Sequence, residues 1–159
     1  MKRKFFLTFL IILSSNCFSQ RELPVKWSFV TVNKENHEAE LTFTAIVNDG
    51  WHIYSQYIDS GGPIPTSFTF IPGTDYDLVG KVIELNDPVH AFDKAFEMYI
   101  TFFSTKVVFV QKIKYIKQGT VIKGILKFMA CNGDQCIPPE EVEFNFKVKY
   151  KTKTVLEIY

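Results

Sequence analysis

Glu38-Ala39-Glu40-Leu41-Thr42-Phe43-Thr44-Ala45-Ile46-Val47 is a run in which Ala39, Leu41, Phe43, Ala45 and Val47 alternate with Glu40, Thr42, Thr44 and Ile46. A period of two sends one set to a core and the other toward water, so the run reads as a half-buried β-strand. The spacing returns near the end, where Val142, Phe144, Phe146, Val148 and Tyr150 alternate with Glu143, Asn145, Lys147 and Lys149. Related runs cover residues 25–32, 67–71, 97–103, 107–113 and 120–129. In the last of these, Ile122, Leu126 and Phe128 share a face with Gly124, while Lys123 and Lys127 point away. Breaker clusters separate the runs: Asn48-Asp49-Gly50, Gly61-Gly62-Pro63, Pro72-Gly73, Asn86-Asp87-Pro88 and Lys117-Gln118-Gly119. No segment sustains a helical stripe. About seven to nine short strands at this spacing, rich in Phe, Val and Tyr, predict an all-β sandwich.

The N-terminus reads differently. Met1-Lys2-Arg3-Lys4 is basic, residues 5–13 are almost wholly apolar, and Ser14-Ser15-Asn16 is a small, polar exit. This is the layout of a secretory signal peptide, and the apolar run is shorter than the roughly 20 residues that span a bilayer. Cleavage is expected after Ser19, with Cys17 and Ser19 as the small residues before the cut. That leaves a single domain over residues 20–159, with a lysine-rich tail after Tyr150 expected to fray. A lipoprotein reading, with Cys17 lipidated, is weaker, because Asn16 suits that position poorly and no Leu stands three residues before it. Loss of Lys2, Arg3 and Lys4 takes the formal charge from +1 to −2. Such a balance points to neither nucleic acid nor an acidic membrane surface as partner, and the mature protein is expected to be soluble and monomeric.

Export leaves Cys131 and Cys136 as the two mature cysteines, in a compartment that permits disulfides. They lie in Cys131-Asn132-Gly133-Asp134-Gln135-Cys136-Ile137-Pro138-Pro139, between two strong strand signals, and therefore in a connecting turn. One reading is a structural staple. Yet a six-residue loop gains about 2 kcal/mol from closure, against roughly 4 for a bridge across some 60 residues. The flanking strands already close this turn, and structural bridges in sandwiches usually join distant strands. The other reading is redox exchange at an accessible end of the sandwich. Pro138 and Pro139 fix the backbone after Cys136 whether or not the bond is closed. The residues alone leave both readings open. Asp134, Glu140 and Glu141 are near, and no Lys, Arg or His lies between Cys131 and Glu141. Acids raise a thiol pKa, so neither cysteine is expected to be a strong attacking thiolate at neutral pH.

The hairpin from Phe128 to Glu140 resembles the active-site turn of the N-terminal periplasmic domain of the thiol:disulfide interchange protein (DsbD) family. Two further stretches follow the family in order. Asp49-Gly50-Trp51-His52-Ile53-Tyr54 is similar to its strand flanking the cysteines, and His90-Ala91-Phe92-Asp93-Lys94-Ala95-Phe96-Glu97-Met98-Tyr99 to its cap loop. The resemblance spans about residues 25–150 and implies an immunoglobulin-like sandwich in the periplasm. It implies that electrons pass from a membrane-embedded donor to thioredoxin-like acceptors, among them disulfide isomerases and cytochrome c maturation reductants. Carried over, Cys131 and Cys136 are the exchanging pair, Cys136 forming the mixed disulfide and Cys131 resolving it. Phe92 becomes the shielding cap, and Tyr54 and His52 line the site. The chain departs from the pattern in three places. Four residues separate the cysteines where a familiar member has five, His90 and Ala91 replace acidic cap residues, and His52 replaces a tyrosine. Since the sequence runs to Tyr159 without a membrane domain, the donor is expected on a separate chain.

His37, His52 and His90 with the two cysteines have the composition of a zinc set, but the spacings match no zinc pattern. No metal and no cofactor is expected. Phe92 and Tyr54 would otherwise be ordinary core aromatics, and His52 a half-buried strand residue. Should His52 neighbour the cysteines, it would supply the cation the turn lacks, titrating near the working pH. Neither a Ser/His/Asp set nor a phosphate loop is present. The alternative to redox exchange is an exported interaction module with a structural hairpin bridge.

Overall fold

A computed structural model describes residues 23–149 apart from Ala95. The expected signal segment, residues 1–19, and the expected frayed tail from Tyr150 onward lie outside the described residues. Within these, there is no helix, and eleven strands form. They are β1 (Val25–Asn33), β2 (Glu38–Val47), β3 (His52–Tyr54), β4 (Ser67–Phe70), β5 (Tyr76–Glu84) and β6 (Val89–Asp93), then β7 (Met98–Phe103), β8 (Lys106–Tyr115), β9 (Val121–Phe128), β10 (Ala130–Cys131) and β11 (Glu140–Lys147). The seven segments with clear alternation all become strands. The additional ones are too short or too irregular to show a period. β10 has two residues and β3 three. In β5 the register shifts between Val79 and Ile83, and residues 77–81 are all exposed.

The strands form three antiparallel sheets in the orders β1-β2-β8-β5, β11-β9-β4 and β10-β3-β7-β6. The first sheet packs its inner face against the other two, giving an immunoglobulin-like sandwich. Phe43 of β2 is the hub: its ring centre lies 4.7 Å from that of Phe68, 4.9 Å from Phe144 and 5.0 Å from Phe146. Toward the other end Trp27 meets Phe128 at 5.5 Å, and Phe103 meets Phe109 at 6.1 Å. The alternation in 38–47 is thus the physical seam between layers, with Leu41, Phe43 and Ala45 fully buried.

Two polar devices place the end of the sandwich that matters below. Buried Gln111 donates from Nε2 to the carbonyls of Val79 and Lys112, at 3.2 and 2.7 Å, and so satisfies backbone freed by the β5 bulge. The Glu84 carboxylate, at the end of β5, accepts from Ser55 Oγ at 3.0 Å and from the Gln56 amide at 2.8 Å. Ser55 directly follows β3, and its amide donates to the Thr101 carbonyl at 3.0 Å. Thr66 Oγ1 donates to the Tyr54 carbonyl at 2.6 Å. Short as it is, β3 is therefore tied on three sides.

Candidate active site

The chain leaves one sheet for another between Phe128 and Ala130. β9 ends at Phe128, and β10 pairs with β3 so that Ala130 faces Ile53 and Cys131 faces His52. Alternation then separates two kinds of neighbour. Ala130 and Ile137 turn into the main core, and the Ile137 amide donates to the Ala130 carbonyl at 2.9 Å. Cys131 turns the other way, into a small apolar cluster with Tyr54, Ile100, Met98, Phe102, Met129 and Ile58.

Cys131 and Cys136 stand opposite one another across the turn and are joined by a disulfide, their Cα atoms 4.0 Å apart. Asn132 builds the turn between them. Its amide donates to the Gln135 carbonyl at 2.9 Å, and its side-chain Oδ1 accepts from the amides of Asp134 and Gln135, each at 2.9 Å. This is the side-chain-closed turn that asparagine favours. The two sulfurs differ in access: Cys131 is 2% exposed, whereas Cys136 lies at the surface.

His52 and Tyr54 share the face of β3 that carries Cys131. Their side chains meet with His52 Nε2 3.1 Å from the Tyr54 hydroxyl and the rings edge to face at 5.1 Å. The His52 ring also leans over Phe102, 4.7 Å away. Burial holds the His52 pKa below its ordinary value, with the nearby Asp93 carboxylate acting in the opposite direction. Burial pushes the Tyr54 phenol far upward, reinforced by Asp93, so it stays protonated. Asp93 Oδ1 also accepts the Phe96 amide at 3.2 Å.

The structure thus gathers four of the five residues singled out from sequence: Cys131, Cys136, His52 and Tyr54. It places Phe92 elsewhere. Phe92 pairs with Tyr99 in the β6–β7 hairpin, whereas Met98, Ile100 and Phe102 project from the opposite face, toward Cys131. Phe92 is 53% exposed and packs edge-on against Tyr99 at 5.5 Å. The aromatic from this loop that reaches Tyr54 is Phe96, with ring centres 6.4 Å apart. It is carried by a turn in which Glu97 adopts a left-handed φ of 53°. His90 stacks on Tyr99 on the outer face, and His37 lies against Tyr115, so the three histidines do not converge. Asn132, Met98 and Ile100 went unnoticed in the sequence. Asn at the first corner of a four-residue turn was a readable sign of the first, but the other two depend on strand register.

An immunoglobulin-like sandwich whose end turn buries one sulfur of a disulfide and presents the other to solvent has the geometry that suits a thiol-disulfide exchange domain. Residues 19–148 match the family model described as thiol:disulfide interchange protein DsbD, N-terminal. The chain belongs to that family. Among solved structures it is similar to the N-terminal periplasmic domain of ScsB from Proteus mirabilis, at 14% identity and a TM-score of 0.59. That match covers 77% of this chain and only 46% of the other. It is also similar to the reduced Neisseria meningitidis DsbD N-terminal domain, at 16% identity and a TM-score of 0.49, covering 77% of this chain and 86% of that one. No individual curated protein matches the chain.

Proposed function

We propose that the protein works in the periplasm, relaying electrons through Cys131 and Cys136 from a membrane-embedded reductase to thioredoxin-like acceptors. One observation carries this reading: the disulfide is half sunk and half presented, with Cys131 inside an apolar cluster and Cys136 at the surface. An incoming thiolate reaches Cys136 and expels Cys131. In the reverse sense, Cys136 attacks an acceptor disulfide and Cys131 then closes the ring, releasing the acceptor as a dithiol. His52 and Tyr54 line the site. Export through the signal segment of residues 1–19 supplies the compartment.

The first test is the reduction potential of the bridge in the mature protein, equilibrated with a thiol redox buffer. A value in the range of exchange proteins is expected. A bridge that resists reduction below about −300 mV would support the alternative of an exported interaction module with a structural hairpin bridge. The roles of the two sulfurs separate in single-cysteine variants. Cys131→Ser is expected to hold an acceptor as a mixed disulfide on Cys136, and Cys136→Ser to hold little or none. The opposite pattern would reverse the assignment.

A further inference from the structure

His52 stands directly across from Cys131 in the β3–β10 pair, on the same face, where opposed Cβ atoms lie about 5 Å apart. Cys131 needs a proton acceptor more than Cys136 does. Its sulfur is buried among apolar side chains, where a bare thiolate is costly to form. In sequence, no basic side chain lies between it and Glu141. The groups facing the imidazole are the Tyr54 hydroxyl on its own strand, the Asp93 carboxylate from β6, Cys131 from β10 and the uncharged Phe102 from β7. Lys94 and Glu97, in the turn beyond Asp93, are exposed.

We infer that His52 takes the proton from Cys131 as the ring closes, an inference that rests on the redox reading of the pair. In the required tautomer Nε2–H donates to the Tyr54 oxygen, leaving the lone pair of Nδ1 free. With Cys136 held in a mixed disulfide, the Cys131 S–H bond breaks toward Nδ1. The sulfur's electron pair forms the bond to Cys136 Sγ, and the bond from Cys136 to the acceptor breaks. The acceptor sulfur leaves with that electron pair and receives the proton from the imidazolium. Cys131 and Cys136 are oxidised by two electrons and the acceptor disulfide is reduced by two. Throughout, Tyr54 accepts from Nε2–H, and the Asp93 charge favours the transient imidazolium. Burial keeps the ring neutral at neutral pH, and so ready to accept.

The reduced protein mixed with dithiobis(nitrobenzoic acid) in a stopped-flow spectrometer provides the test, because each step releases one coloured thiolate. The first release is bimolecular and reports attack by Cys136. The second is unimolecular and reports ring closure by Cys131. With His52 as base, the wild-type second phase is expected to stay nearly level between about pH 6.5 and pH 8. His52→Gln retains a polar partner for Tyr54 but has no base. Its second phase should rise about tenfold per pH unit and be at least about tenfold slower than the wild type's near neutrality. Identical second-phase profiles in the two proteins would overturn the inference. If the variant does not fold, a tenfold-per-unit rise in the wild type alone overturns it. A wild type that gives no second release at any pH fails the redox reading itself, and the role of His52 falls with it.

Discussion

At the residue scale, the pair of sulfurs and the imidazole opposite one of them are the informative groups. The hairpin could be read from sequence because two cysteines, an Asn-Gly turn and two prolines sit between strong alternating runs. The face on which each aromatic lies could not, because alternation gives two faces and only the register says which one meets Cys131. Phe92 and Phe96 show the difference: four positions apart in one loop, they end on opposite sides of it. His52 also leaves a mark on stability. Its folded pKa lies below its unfolded value, so the unfolded chain binds the proton first as pH falls. The stabilisation from the neutral ring is therefore complete above the ordinary histidine range and is lost as pH drops through it. Urea midpoints measured at mildly acidic and mildly alkaline pH are expected to fall less toward acid in His52→Gln than in the wild type. An equal fall in both would place the pH sensitivity elsewhere.

At the element scale, β9 and β5 were legible to very different degrees. The alternation of β9 was plain, and its Gly124 has a specific reason to be there. It sits between Phe144 of β11 and Phe70 of β4, whose rings pack 5.2 Å apart. A Cβ on Gly124 would come within 2.2 Å of the Thr69 carbonyl oxygen and 2.3 Å of Phe144 Cζ. The carbonyl belongs to a paired strand and cannot swing away. Gly124→Ala is expected to cost at least about 2 kcal/mol, read as a lower denaturant midpoint. β5 escaped notice because its bulge erases the period, yet its last residue anchors the site strand. Glu84→Ala removes charge-assisted bonds to Ser55 and Gln56 and leaves buried Ser55 short of a partner. A loss of about 2 kcal/mol is expected, with ring closure by Cys131 slowed as β3 loosens. A variant as stable as the wild type would show that β3 is held by the sheet alone.

For the whole molecule, the core and the bridge are nearly independent. The hydrophobic centre runs through Phe43, Phe109 and Phe128, and the bridge closes a loop with a sequence separation of only five. Patterning alone was enough to read the sandwich because its core is made of such alternating strands. The smaller apolar cluster around Cys131 was hidden, since it draws on four separate segments. Reduction should therefore leave the fold standing, lowering the thermal midpoint by less than about 10 °C with the circular dichroism spectrum retained. Unfolding on reduction would mark the bridge as structural.

The uneven exposure of the two sulfurs also bears on traffic. With one sulfur at the surface, the domain can be covalently engaged by one foreign protein at a time. For the proposed relay, donor and acceptor then queue for the same doorway, and the kinetics are ping-pong. An excess of one partner cannot make up for a shortage of the other, so throughput is set by the slower of loading and unloading.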